Sequence, residues 1–138
     1  TLHGAEHGFS YRHSFLSDHP GVVLRCVFEL APGDPAQITA DMQALMDKRR
    51  TSQPLDMPSA GSTFKRPVGG FAAALIDEAG LKGFSVGGAQ VSPKHAGFVV
   101  NTGGATCEDV LRLMEHIQKT VLDRSGIELE PEVRIVRE

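Results

Sequence analysis

The chain has 138 residues, a net charge of −3 and two cysteines, so it suits one domain, or one domain plus a piece of another, with a core that needs no disulfide staples. Acidic and basic residues are interspersed, which argues against the concentrated basic face of a general nucleic-acid binder. No apolar run approaches the ~20 residues that span a bilayer, TLHGAEHG holds no signal-peptide core, and two cysteines fit a reducing compartment; a cytoplasmic protein with no membrane partner is expected.

In chain order, the start without Met in a polar, Gly-containing stretch reads as a fragment or a processed chain. Residues 22–30, VVLRCVFEL, are β-branched and apolar and run into the turn APGDP, which predicts a buried strand with Cys26 packed as a small hydrophobe. A helix follows: Asp34 suits its N-cap and Pro35 its first position, and Ile38, Met42, Leu45 and Met46 share one face. It is expected to end at Asp47-Lys48-Arg49-Arg50, whose cations suit either the helix dipole or an anionic ligand. Residues 51–61, with Pro54 and Pro58, read as a loop closed by a Gly-flanked turn at Ser62.

GGFAAALIDEAGLKG then reads as a small-residue helix with Gly80 near its C-cap. Short strands are expected around Ala89–Ser92 and Gly97–Asn101, separated by Pro93-Lys94-His95 and flanked by glycine pairs. Thr106 and Asp109 open a last helix with the stripe Val110, Met114, Ile117 and Val121, and Gly126 ends it. A final strand is expected at Glu132–Val136. The order of elements predicts an α+β fold, a mixed sheet packed by helices.

The chemistry centres on PSAGSTFKRP at 58–67. Gly61 permits a backbone geometry that other residues resist, Pro67 stops helix continuation, and Lys65 and Arg66 stand just behind the Ser62 hydroxyl. Ser62 either satisfies a turn or moves a proton beside an anion. His3 and His7 have i, i+4 spacing, but no cysteine pair or carboxylate cluster completes the set, so no metal site is expected. GST matches no nucleophile elbow, and GGAQ and NTGGAT match neither phosphate-loop nor dinucleotide fingerprints. Glu132 and Arg134 would share one face of a strand, paired with each other or reaching a common ligand.

FSYRHSF at 9–15, RRTSQPL at 49–55, PSAGSTFKRP at 58–67, LIDEAGLKGFSVGGAQVSPKHAGFVVN at 75–101 and GIELEPEVRIV at 126–136 together resemble the UDP-N-acetylenolpyruvoylglucosamine reductase family. The segment after Pro67 lacks an insertion and so looks like the family's shorter class. The resemblance implies FAD and NADPH, a UDP-sugar substrate, and formation of UDP-N-acetylmuramate for peptidoglycan. It implies that Ser62 protonates the carbon beside the substrate carboxylate, and that Arg12 and Glu132 stabilise or protonate the enolic intermediate. Arg49, Gln53, Arg66, His95 and Arg134 fall at positions that imply substrate contact. Residues 1–33 then look like the tail of an FAD-binding domain and 34–138 like the substrate-binding C-terminal domain, with most of the flavin region expected ahead of Thr1 and as a possible partner. Two other readings stand beside the enzyme: a non-catalytic nucleotide-sugar binding fragment, and a structural one in which 1–33 is a dangling strand that dimerises.

Overall fold

The computed structural model describes residues 1–136; positions 137 and 138 of the expected second domain lie outside the described residues. The chain divides into two compact units, Thr1–Asp34 and Pro35–Glu138. In the first, a 3₁₀ turn at Gly4–His7 precedes a tight reversal in which Ser10 and His13 exchange backbone hydrogen bonds of 3.1 and 3.3 Å, and helix α1 covers Phe15–Asp18. The expected strand at 22–30 does not form. A strand is stabilised by cross-strand neighbours; among the described residues none pairs with this segment, and Val22, Leu24 and Phe28 stay 85, 93 and 78% exposed. Cys26 is likewise exposed rather than buried.

The larger unit opens with α2, Pro35–Ser52, which starts where Asp34 and Pro35 predict. It runs two residues beyond the basic cluster because the Thr51 and Ser52 hydroxyls donate back to the carbonyls of Asp47 and Lys48, which satisfies the last turn. No α2 residue is buried.

Strands β1 (Ser59–Ser62), β2 (Ser85–Val86), β3 (Ala89–Val91) and β4 (Phe98–Asn101) form a sheet in the order β1-β4-β3-β2. The α+β class holds, but the sheet is antiparallel in every pairing rather than mixed. Connection length explains two of the three pairings: β2 and β3 are joined through Gly87-Gly88 and β3 and β4 through residues 92–97, too short for the crossover that parallel neighbours require.

Helices α3 (Ala72–Glu78) and α4 (Cys107–Ser125) contribute to the core with the sheet and with Phe64, Leu81 and Leu129 from the connections. Ile76, Val91, Leu113 and Ile117 are fully buried, each such side chain contributing about 1.5–3 kcal/mol. Helix α4 begins in a reciprocal cap: Asp109 N–H donates to Thr106 Oγ1 at 3.1 Å and Thr106 N–H donates to Asp109 Oδ2 at 2.9 Å. The Thr106 backbone bond, ahead of the Thr106 hydroxyl, holds the Asp109 carboxyl below its ordinary range. Gly87, at φ +54°, lies against that carboxylate, and a Cβ there would sit 2.4 Å from Asp109 Cγ, so the β2–β3 reversal fits the helix start only without a side chain.

The expected final strand Glu132–Val136 is also not formed. Pro131 makes one isolated bridge to Phe64, Lys65 N–H donates to Glu130 O, and Glu132 N–H donates to Thr63 O. Pro131 interrupts the row of donors, and beyond Glu132 the pairing stops, with Ile135 and Val136 left 47 and 90% exposed.

Candidate active site

The sheet edge at Ser62 is built by an irregularity. Ser59 faces Val100 and Ser62 faces Phe98, so three steps along β1 oppose two along β4, and Gly61 takes up the extra residue at φ +85°. Such a bulge re-aims the side chain that follows it. Ser62 therefore ends a strand instead of sitting in the free turn that its glycine neighbour suggests.

A cleft of about 360 Å³ lies at this point. Arg49 and Gln53 enter it from the end of α2, Leu55 and Met57 from the following loop, and Ser62 and Phe98 from the sheet. Arg49 Nε donates to Gln53 Oε1 at 3.3 Å, which joins the two side chains on one wall. The sequence separates Gln53 from Ser62 by a proline-bounded loop, and its fold brings them together.

Glu132 is brought toward the same place through its backbone. Thr63, 4% exposed, accepts the Glu132 N–H at 2.9 Å, donates its own N–H to Gly97 O at 2.9 Å, and accepts the Val99 N–H on its hydroxyl at 3.1 Å. The residue after Ser62 thus ties together β1, the end of the β3–β4 loop and the 130–132 segment. Lys65 adds an ion pair to Glu130, two residues before Glu132. Glu132 Oε2 is buried.

The other expected positions are more dispersed. His95 sits in the 92–97 loop, where Gly97 N–H donates to its Nδ1 at 3.1 Å, so in the neutral ring the proton is on Nε2. Its ring meets Phe98, a cleft-lining residue, edge-on at 5.0 Å. Arg66 is exposed and lies over the Phe71 ring at 4.0 Å, away from the cleft lining. Arg134 is exposed and also outside the lining. Arg12 belongs to the smaller unit, at the Ser10–His13 reversal, and is the only non-glycine residue with positive φ, +58°, among those described. Such a backbone costs roughly 1–2 kcal/mol in an L-residue.

Leu55, Met57, Phe98 and Thr63 were not singled out from sequence. The spacing of Pro54 and Pro58 marks the loop that carries the first two, while nothing local marks Thr63, whose bonds all cross to distant segments. Among the described residues no group of three or more His, Cys, Asp or Glu is placed to hold a metal ion, and no helix is long and apolar enough to cross a membrane.

Together the fold and cleft define a class: a small α+β domain with a cleft lined by a strand-end serine, an arginine and a glutamine. Residues 53–136 match the model of the UDP-N-acetylenolpyruvoylglucosamine reductase C-terminal domain. The chain is 53% identical over 138 residues to UDP-N-acetylenolpyruvoylglucosamine reductase of Levilactobacillus brevis, covering 100% of this chain and 45% of that protein. It is 53% identical over 137 residues to the same-named protein of Caldanaerobacter subterraneus subsp. tengcongensis, covering 99% and 45%. The crystal structure of UDP-N-acetylenolpyruvylglucosamine reductase from Thermus caldophilus superposes with a TM-score of 0.77 at 40% identity, over 94% of this chain and 46% of that one. The chain belongs to the UDP-N-acetylenolpyruvoylglucosamine reductase family and spans just under half the length of these relatives.

Proposed function

We propose that this chain is the substrate-binding part of an FAD- and NADPH-dependent reductase that converts UDP-N-acetylglucosamine enolpyruvate to UDP-N-acetylmuramate for peptidoglycan. The observation that carries the reading is the cleft that Ser62 lines together with Arg49 and Gln53, with Glu132 tied by its backbone to the residue after Ser62. We assign residues 34–138 to the substrate domain and 1–33 to the end of an FAD-binding domain. No residue here is assigned to FAD, which we assign to the part of the relatives that this chain does not span.

FAD, once reduced by NADPH, would supply the hydride that adds to the enolpyruvyl methylene carbon. The chain's own work is to hold the anion and deliver the proton: Ser62 Oγ–H gives its proton to the carbon beside the carboxylate, completing addition of two hydrogens across the double bond. Arg49 and Gln53 bind the nucleotide-sugar, and Arg66, His95 and Arg134 are assigned to its outer parts. Arg12 and Glu132 stabilise or protonate the enolic intermediate, because fixed positive charge and proton donors lower the energy of a developing enolate. By itself the 138-residue chain is proposed to bind substrate without turning it over.

The test is Ser62→Ala in the full-length enzyme. Enolpyruvyl reduction should fall by about 10²–10⁴-fold while NADPH still reduces the flavin at its normal rate. Turnover equal to wild type would remove Ser62 from the role.

A further inference from the structure

We propose that Lys94 is a positioning residue for the cleft, tethering the C-terminal end of α2 so that Arg49 and Gln53 stay in the lining they share with Ser62. The proposal rests on the reductase reading above for what the cleft binds.

Helix α2 has no buried residue, so core packing does not fix its end. Its last carbonyls lack partners within the helix. Arg49 O accepts Gln53 N–H at 2.8 Å, and Arg50 O accepts Lys94 Nζ at 2.6 Å, from a residue distant in sequence. A cation at this end also meets the negative pole of the helix dipole.

The base of the tether is rigid. Ser92, 1% exposed, accepts Lys94 N–H at 3.2 Å and His95 N–H at 3.3 Å on its hydroxyl, and Gly97 N–H closes the loop onto His95. Loop 92–97 joins the two central strands β3 and β4, so Lys94 reaches from the middle of the sheet to a helix with no buried residue. Arg49 and Gln53 flank the tethered carbonyl. Loss of the tether frees the wall of the cleft without touching Ser62.

Two measurements test this, with Lys94→Met and Lys94→Arg. In this chain, amide exchange at Gln53 should quicken about fivefold in Lys94→Met, with α4 amides still protected, and return to wild type in Lys94→Arg. In the full-length enzyme, Lys94→Met should raise KM for the enolpyruvyl nucleotide-sugar about tenfold with kcat within about twofold, and Lys94→Arg should restore it. Unchanged Gln53 exchange, loss of protection throughout α4, an unchanged KM, or no rescue by arginine would each overturn the tether. A wild-type enzyme with no activity on this substrate would instead sink the reductase reading, and Gln53 exchange would still decide the role of Lys94.

Discussion

Helices α2 and α4 are close in length, 18 and 19 residues, but only α4 is strongly amphipathic; the larger apolar side chains of α2 share a face that contrasts little with the rest of the helix. In α4 the stripe is interior: Leu113 and Ile117 are 0% exposed and Val121 is 1%. In α2 the corresponding side chains, Ile38, Met42, Leu45 and Met46, remain 45–67% exposed. Periodicity shows which face of a helix is apolar, but whether that face is covered depends on what the rest of the chain places against it. The two helices accordingly divide the work, with α4 holding the sheet and α2 carrying Arg49 and Gln53 to the cleft.

That division can be broken by substitution. The largest effect is expected at Ile117→Ala, which should destabilise the larger unit by about 2–5 kcal/mol in urea denaturation; a loss below about 1 kcal/mol would mean that α4 is not its centre. A smaller, pH-dependent effect belongs to Asp109→Asn. Because the folded carboxyl is held below its ordinary value of 3.8, its stabilising contribution is complete above that value and is lost as pH falls from there through the folded pKa. Wild type should therefore be the more stable near neutrality, with the gap closing below about pH 4. A gap constant down to acid unfolding would remove the charge from the cap. The smallest effect is expected at Met42→Gln on α2, within about 0.5 kcal/mol; a core-sized loss would show that this exposed stripe is packed after all.

The same contrast explains what was legible in the sequence. Helix α4 was readable from Thr106 to Gly126 because capping, periodicity and termination are local signals. Strand β1 was missed because Ser59-Ala60-Gly61-Ser62 has little strand propensity of its own and owes its conformation to β4. The strands expected at 22–30 and 132–136 failed for the opposite reason: each has a strand pattern but no extended pairing among the described residues. Ser62 stood out through its neighbours, and family resemblance added Arg49, Gln53 and Glu132. The placement of Ser62, Arg49 and Gln53 around one cleft was not legible, because it depends on the bulge at Gly61 and on long-range bonds made by Thr63 and Lys94.

The central claim is that the end of α2 and the bulged end of β1 form one nucleotide-sugar site. The direct test is an amide NMR titration of the isotope-labelled 138-residue chain with UDP-N-acetylglucosamine enolpyruvate. Saturable shifts are expected at Gln53, Gly61, Ser62 and Phe98, with Leu113 and Ile117 unmoved. Shifts confined to α4, or none at high ligand concentration, would contradict the account.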